Sequence, residues 1–371
     1  MKKNLVFALT SLILLTCGSQ SLFAQSEFIR NRYLRLGFHA KLWEFEDNSG
    51  FLEVALPMIY SMPIGRRFAL DVMASPFGAG VYEGSLRDPS NGEKIISLSD
   101  TYVRASYIIG DNQALLTVGV GIPSGTTELN IEEFNIAGIA ANRALANPVS
   151  NFGSGSNVNV GLAVAREIGS WVFGFGVGFA RRGEYNLNAL GGTIDPGDEI
   201  NVTIGADKNF GSAKFTGDVI YTMYTEDQSN VLSPYQAGDK LYINGRLIFT
   251  LGFLNPVILS AGNRIRAENS SRSQTFQNGN EFEARIAAVV PVGGDNFGLK
   301  FVYLMRNYGD GNQDVGGATI NGFGGGLVLK ISQHFTFDPT FIYSTGSFNT
   351  GKDTKADVTG YELTGGFAFR F

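Results

Sequence analysis

Large apolar side chains alternate with small or polar ones at a period of two through most of this chain. Trp171, Phe173, Phe175, Val177 and Phe179 are separated by Val172, Gly174, Gly176, Gly178 and Ala180. Leu34, Leu36, Phe38, Ala40 and Leu42 stand against Arg35, Gly37, His39 and Lys41. Ile243, Gly245, Leu247, Phe249, Leu251 and Phe253 face Asn244, Arg246 and Thr250, and Phe282, Ala284, Ile286, Ala288 and Val290 face Glu281, Glu283 and Arg285. A period of two is the signature of a strand, whose successive side chains leave on opposite faces. A soluble sandwich alternates as well, so strand length and connections decide between the two. Runs of roughly 10–14 residues match tilted membrane strands of about 9–11 residues plus overhang, and exceed the roughly 5–6 of ordinary soluble strands.

The connections alternate between short and long. Short ones fall at 62–65, 110–112, 169–170, 211–212, 254–256, 293–295 and 332–333, and longer polar ones near 83–96, 124–156, 186–198, 226–238, 269–280, 309–318 and 347–358. Short periplasmic turns opposite long outer loops are the arrangement of outer-membrane barrels. The chain ends with Phe367, Phe369 and Phe371 in alternation, the pattern of an assembly signal read by the barrel-assembly machinery. The expected fold is all-β, a transmembrane antiparallel barrel of about sixteen strands, or fourteen if one weak hairpin is misread. Strands are expected to begin near residues 32, 50, 67, 97, 114, 156, 170, 198, 213, 239, 256, 280, 296, 319, 334 and 359.

Composition supports this picture. Glycine accounts for 48 of the 371 residues and Phe for 29, while charged residues are only 17%, against roughly 25% in soluble domains. Gly and aromatics form helices poorly. The net charge of −5 offers no polybasic surface for nucleic acid. Lys2 and Lys3, the apolar run from Leu5 to Leu15 and the small residues up to Ala24 read as a secretory signal peptide over 1–24, leaving 25–371 as one barrel domain. The single cysteine, Cys17, lies in that leader, so a protein cleaved after Ala24 has no thiol chemistry unless Cys17 is a lipid-anchored first residue.

Inward faces of a barrel this size hold the polar positions. On the later strands they gather Arg246, Arg264, Arg266, Arg285, Lys300 and Arg306, with Asp71, Asp100, Asp218, Glu281 and Glu283 as acidic counterparts and Glu53, Asp338 and Glu362 on the same face. These are candidate pore-lining residues: a sixteen-stranded barrel is wide enough for an aqueous channel, and a basic wall biases passage toward anions. The same charges also serve as a structural network bracing the wall. Aromatic girdles are expected from Tyr60, Trp171, Phe253, Phe297, Phe335 and Phe371 at one end and Tyr82, Tyr185, Tyr224, Tyr308 and Tyr343 at the other. The longest loop, near 126–152, has helical composition from Glu132 to Ala146 before Asn147 and Pro148. A helix there caps the rim, or folds into the mouth and gates it.

Thr117-Val-Gly-Val-Gly-Ile-Pro-Ser-Gly125, then Glu128-Leu-Asn130, Gly174-Phe-Gly-Val-Gly-Phe179 and Arg182-Gly-Glu-Tyr185 resemble the outer-membrane barrels that take up long-chain fatty acids and aromatic hydrocarbons, and the related barrels of phenol degradation. The resemblance covers roughly 114–186 and implies a transporter for small, apolar molecules. That family carries an N-terminal plug inside its barrel. Here the first strand is expected near residue 32, close behind the cleavage site, so no plug mechanism or ligand residue carries over.

Other chemistry finds little support. The two histidines, His39 and His334, suggest no metal cluster, and Gly174, Gly176 and Gly178 alternate as a thin strand rather than opening a helix. Asp310, Asn312 and Asp314 have calcium-like spacing, but Val315 stands where a glycine is needed. No enzyme activity, cofactor or metal is expected. The expected function is passive passage of small molecules, hydrophobic or anionic, across the outer membrane. The alternative is a closed barrel that acts as a structural or docking part of an envelope complex. Expected partners are outer-membrane lipid, the assembly machinery, a small-molecule solute and other copies in a homo-oligomer.

Overall fold

The computed structural model describes residues 32–371, apart from 48, 84–92, 111–113, 127, 150–151, 154, 188–191, 231–232, 273, 295, 312–314 and 352–353. The signal peptide expected over 1–24, Cys17 and the full Asp310–Asp314 set lie outside the described residues. Twenty strand segments join in one antiparallel sheet, and four wall positions hold two collinear segments each. The wall therefore has sixteen strands: β1 (Tyr33–Phe45), β2 (Ser49–Ala55 and Met58–Ile64), β3 (Phe68–Ala74 and Pro76–Glu83), β4 (Glu93–Leu98 and Thr101–Ile109), β5 (Ala114–Ile122), β6 (Asn157–Ile168), β7 (Trp171–Arg181), β8 (Glu199–Asn209), β9 (Ala213–Tyr224), β10 (Lys240–Leu251), β11 (Leu254–Arg266), β12 (Glu281–Pro291), β13 (Phe297–Tyr308), β14 (Val315–Lys330), β15 (Phe335–Phe337 and Thr340–Gly351) and β16 (Thr354–Arg370).

Each strand pairs with its sequence neighbour. β16 then closes on β1 from Tyr33↔Arg370 to Phe45↔Val358. Closure leaves no unpaired edge, which a sheet in hydrocarbon requires. The alternation now has a geometry. Leu116, Val118, Val120, Ile122, Phe173, Phe175, Val177 and Phe179 all point outward and are exposed, as are Phe301, Phe323, Phe341 and Leu363. An unbroken apolar outer band fits lipid and would be a severe liability in water. Among the described residues, no helix is long and apolar enough to cross a membrane.

At one end the hairpins are tight. Gly65, Gly110, Gly169, Gly211, Gly252 and Gly293 each sit in a short turn with φ between 57° and 79°, a conformation that costs glycine little. The turn expected at 254–256 is at Gly252 instead, because Gly252 can adopt that φ whereas Leu254 already pairs with Leu251. At the other end, the loop expected at 347–358 is mostly strand: β15 runs to Gly351 and β16 starts at Thr354. Four strands are interrupted, at 56–57, 75, 99–100 and 338–339. Pro57 and Pro339 stand at two of these breaks, where a missing N–H does least harm to the ladder. The backbone spans the first break through Gly37 N–H donating to Pro57 O at 2.7 Å. A Cβ at Gly37 would lie 2.6 Å from the Pro57 ring, so that approach needs glycine.

The connection between β5 and β6 folds into the barrel rather than out over the rim. Its helix, α1 (Ile131–Ala140), starts with a capping box: the Asn130 side chain accepts from Glu133 N–H while the Glu133 carboxylate accepts from Asn130 N–H. The chain continues through turns after Ala140, so the helix is shorter than the stretch from Glu132 to Ala146. Ile136, Ala140, Ala144, Leu145, Val149 and Phe152 form one buried core with inward residues of the wall: Trp43, Phe51, Phe77, Ile95, Ile320 and Val358. Phe152 stacks on Phe77 with centroids 4.8 Å apart. The loop root is tight. Thr126 N–H donates to Phe152 O, and a Cβ at Gly125 would lie 2.2 Å from that same oxygen.

Candidate solute pathway

Register assigns every inward side chain. Cross-strand partners share a face, and Lys240↔Arg266, Tyr242↔Arg264, Asn244↔Gly262 and Arg246↔Ser260 are partners on β10 and β11. Arg264↔Glu281, Glu283↔Arg306, Arg285↔Leu304 and Val289↔Lys300 continue that face across β12 and β13. Arg246, Arg264, Arg266, Arg285, Lys300, Arg306, Asp218, Glu281 and Glu283 therefore all lie on the inner wall. So does Asp71, but its carboxylate is only 1% exposed and takes two hydrogen bonds from the Arg104 guanidinium at 2.9 and 3.1 Å. It braces the wall. Asp100 is the exception: it lies in the break in β4, off the strand ladder, where its Oδ1 accepts from Gly125 N–H at 3.0 Å. That bond anchors the entry of the inserted loop.

The inserted loop is fastened to the wall by charged and polar groups. Lys41 Nζ donates to Ala146 O at 3.0 Å and also pairs with Glu362 at 3.1 Å. Val149 N–H donates to Glu53 Oε1 at 2.7 Å. Arg306 Nη1 donates to Ala144 O, and Tyr308 OH lies 3.3 Å from Arg143 O. Arg143 then reaches Glu281 at 3.2 Å. Burial lowers the pKa of the Arg143 guanidinium, Glu281 raises it again, and the neighbouring Arg264 charge lowers it. The loop thus lies along one arc of the wall, from β12 through β1 to β4.

The opposite arc has a thin inner lining. Gly119, Gly121, Gly161, Ala163, Ala165, Gly174, Gly176, Gly178 and Ala180 are among its inward residues on β5 to β7, with Thr117, Asn157 and Asn159 beside them. Between this lining and the loop, a strip of charge follows the long-loop ends of β7 to β12. Arg182 Nη2 pairs with Glu199 at 3.2 Å, Arg264 Nη1 pairs with Glu281 Oε2, and Arg266 Nη2 pairs with Glu281 Oε1 at 2.6 Å. Arg182 and Lys240 both lie over the Tyr224 ring, at 5.5 and 4.3 Å, and Arg264 lies over Tyr242 at 4.9 Å. Tyr224 and Tyr308, expected in the outer girdle, point inward instead. Each is less than a tenth exposed and gives its hydroxyl a polar partner there, Lys240 for Tyr224 and Glu283 for Tyr308. A buried tyrosine hydroxyl needs such a partner.

Below the strip, Arg246, Arg285 and Lys300 descend the same side, with Lys300 paired to Asp338 in the break of β15. Asp218 accepts from Asn244 Nδ2 at 3.0 Å. Phe367 and Phe369 stand outward at the short-turn end, stacked on Phe335 and Phe337 with centroids 4.5–5.8 Å apart, and Phe371 is 73% exposed. Among the described residues, no group of three or more His, Cys, Asp and Glu is arranged to hold a metal.

Several of these residues were not among the sequence-derived candidates. Lys240 and Tyr242 are in phase with Asn244 and Arg246 on one alternating run, and Lys41 is in phase with Arg35 and His39, so parity alone marks them as inward. Arg143 and Arg182 lie outside the strands, where no period exists to place them.

No protein-family profile matches this sequence, and no curated protein matches it. Solved structures do match. OprB of Pseudomonas putida aligns with a TM-score of 0.51 at 9% identity, over 94% of this chain and 96% of that one. A bacterial polysaccharide outer membrane secretin also aligns at 0.51 and 9% identity, over 92% and 99%. The fold is that of outer-membrane β-barrels. CdiB from Acinetobacter baumannii aligns at 0.49 and 11% identity over 91% of this chain, which spans only 60% of the CdiB chain.

Proposed function

We propose that this barrel sits in the outer membrane as a passive channel for small anionic solutes. The observation that carries the proposal is the inward-folded loop. It occupies one arc of the lumen and brings Arg143 to Glu281, beside Arg264, Arg266 and Lys240, so the space left to a solute has a row of cations along one side. A constriction lined with one sign of charge discriminates by electrostatic barrier and by diameter. The fold shared with OprB and the secretin supports an outer-membrane barrel and says nothing about solute. The candidate lining residues are Arg246, Arg264, Arg266, Arg285, Lys300 and Arg306, with Asp218, Glu281 and Glu283 shaping the field between them.

The test is reversal potential in a planar bilayer under a potassium chloride gradient. Steady conductance with chloride preferred over potassium is the expected result. Folded protein that leaves the membrane silent overturns the proposal, and would favour a barrel closed by the apolar core between its loop and its wall. Conductance that prefers potassium would refute the anion assignment alone.

A further inference from the structure

The strip at the long-loop ends of β7 to β12 has more cations than its carboxylates can neutralise. Arg143, Arg264 and Arg266 all converge on the one carboxylate of Glu281. Arg182 uses Glu199, and Lys240 bonds the neutral Tyr224 hydroxyl. Glu283, the next acid along the inner face of β12, is bonded to Tyr308. Five positive groups therefore face two directly paired carboxylates and a third one turned toward a phenol. Like charges confined at a partly dehydrated surface repel more strongly than in bulk water. The wall holds them there even so: 182 follows the end of β7, which pairs with β8, and 199, 224, 240, 242, 264, 266 and 281 follow one another across the next four strand pairings.

The cations also remain accessible. Arg143 keeps 39% of its side-chain exposure, Arg182 33% and Arg264 29%. Guanidinium forks match oxyanion geometry with paired donors, while the lysine adds a point charge. Tyr224 and Tyr242 lie beneath Arg182, Lys240 and Arg264 and fix the direction in which those heads present.

We propose that this strip is a binding site for a compact, doubly charged oxyanion, such as a phosphate group or a short dicarboxylate. The bound solute supplies the two negative charges that the protein leaves out. The inference rests on the channel reading above and gives that channel a substrate class. In it, Arg143, Arg264 and Lys240 bind the anion, and Glu281 is a positioning residue that holds three guanidiniums together.

The experiment is block of single-channel chloride current by inorganic phosphate, succinate and acetate, at mildly alkaline pH and matched ionic strength. Half-block by phosphate or succinate is expected at a concentration about fivefold below that of acetate, the ratio that one added pairing worth ~1 kcal/mol gives. Whichever dianion blocks better identifies the chemistry. In K240Q/R264Q, checked for folding by heat-modifiable gel mobility, that preference should vanish. Chloride current that phosphate, succinate and acetate block alike would overturn the site while leaving the channel reading intact. A silent membrane would overturn the channel reading instead. In that case the melting temperature of wild-type protein in detergent decides the site: a rise with phosphate or succinate beyond that with acetate supports it, and equal melting rejects it. The same melting comparison serves if the double variant does not fold.

Discussion

At the scale of single residues, the inner wall contains two kinds of charge, and exposure separates them. Asp71 and Arg104 form a dry pair with side chains 1% and 8% exposed. Removing one member of such a pair leaves an uncompensated charge at a cost of about 3–5 kcal/mol. Arg104→Leu should therefore lower the urea midpoint of unfolding from lipid vesicles, followed by the fluorescence of Trp43 and Trp171. An unchanged midpoint would mean that water already reaches the pair. Glu281 is also buried, but its partners are not dry: it is one carboxylate shared by three guanidiniums that keep 17–39% of their side-chain exposure. Glu281→Gln deletes the only negative charge at that point and leaves the cations. Chloride selectivity should rise while stability falls by about 1–3 kcal/mol, the range for losing buried charge-assisted bonds. If the reversal potential does not move, ions do not pass this strip.

At the scale of elements, the strands were legible and the inserted loop was not. The predicted starts near 114, 156, 170 and 198 sit within one residue of Ala114, Asn157, Trp171 and Glu199, because a lipid-facing strand writes its phase into every second side chain. The misplacements have local causes. The wall begins β14 at Val315 and β16 at Thr354, ahead of residues 319 and 359, because these first residues, Val-Gly-Gly-Ala and Thr-Lys-Ala-Asp-Val, hold too few large apolar side chains to mark a strand phase. The inserted loop follows a different logic. Its anchors, Lys41, Glu53, Arg306 and Tyr308, come from β1, β2 and β13, far away in sequence. The capping signal at Asn130 and Glu133 marks a helix start but carries no information about which side of the rim that helix occupies. The position of the loop has a direct test. Replacing residues 126–152 with a short Gly-Ser bridge should raise conductance by about twofold or more, as pore radius widens, and should weaken chloride preference by removing Arg143. Equal conductance would place the ion path elsewhere in the barrel.

At the scale of the whole molecule, net charge and local charge point to opposite ions. The chain totals −5, and exposed acids such as Glu184, Asp195, Glu226, Glu268 and Asp310 lie in the long connections around the mouth. The cations lie inside, on β10 to β13 and on the inserted loop. Salt distinguishes the two layers. Charges exposed to solvent are screened once the Debye length falls to about 10 Å, near 0.1 M, whereas partly buried ones are screened much less. At very low salt the acidic rim should recruit cations and mask part of the inner preference. As salt rises toward about 0.1 M the rim fades first, so chloride preference measured at a constant concentration ratio should grow, and then decline near 1 M as the strip itself is screened. Reversal potentials across that series read the curve directly. A preference that only falls from the lowest salt upward would show that the rim acids lie outside the reach of the permeant ion. A preference for potassium throughout would show that net charge, rather than the basic strip, governs this barrel.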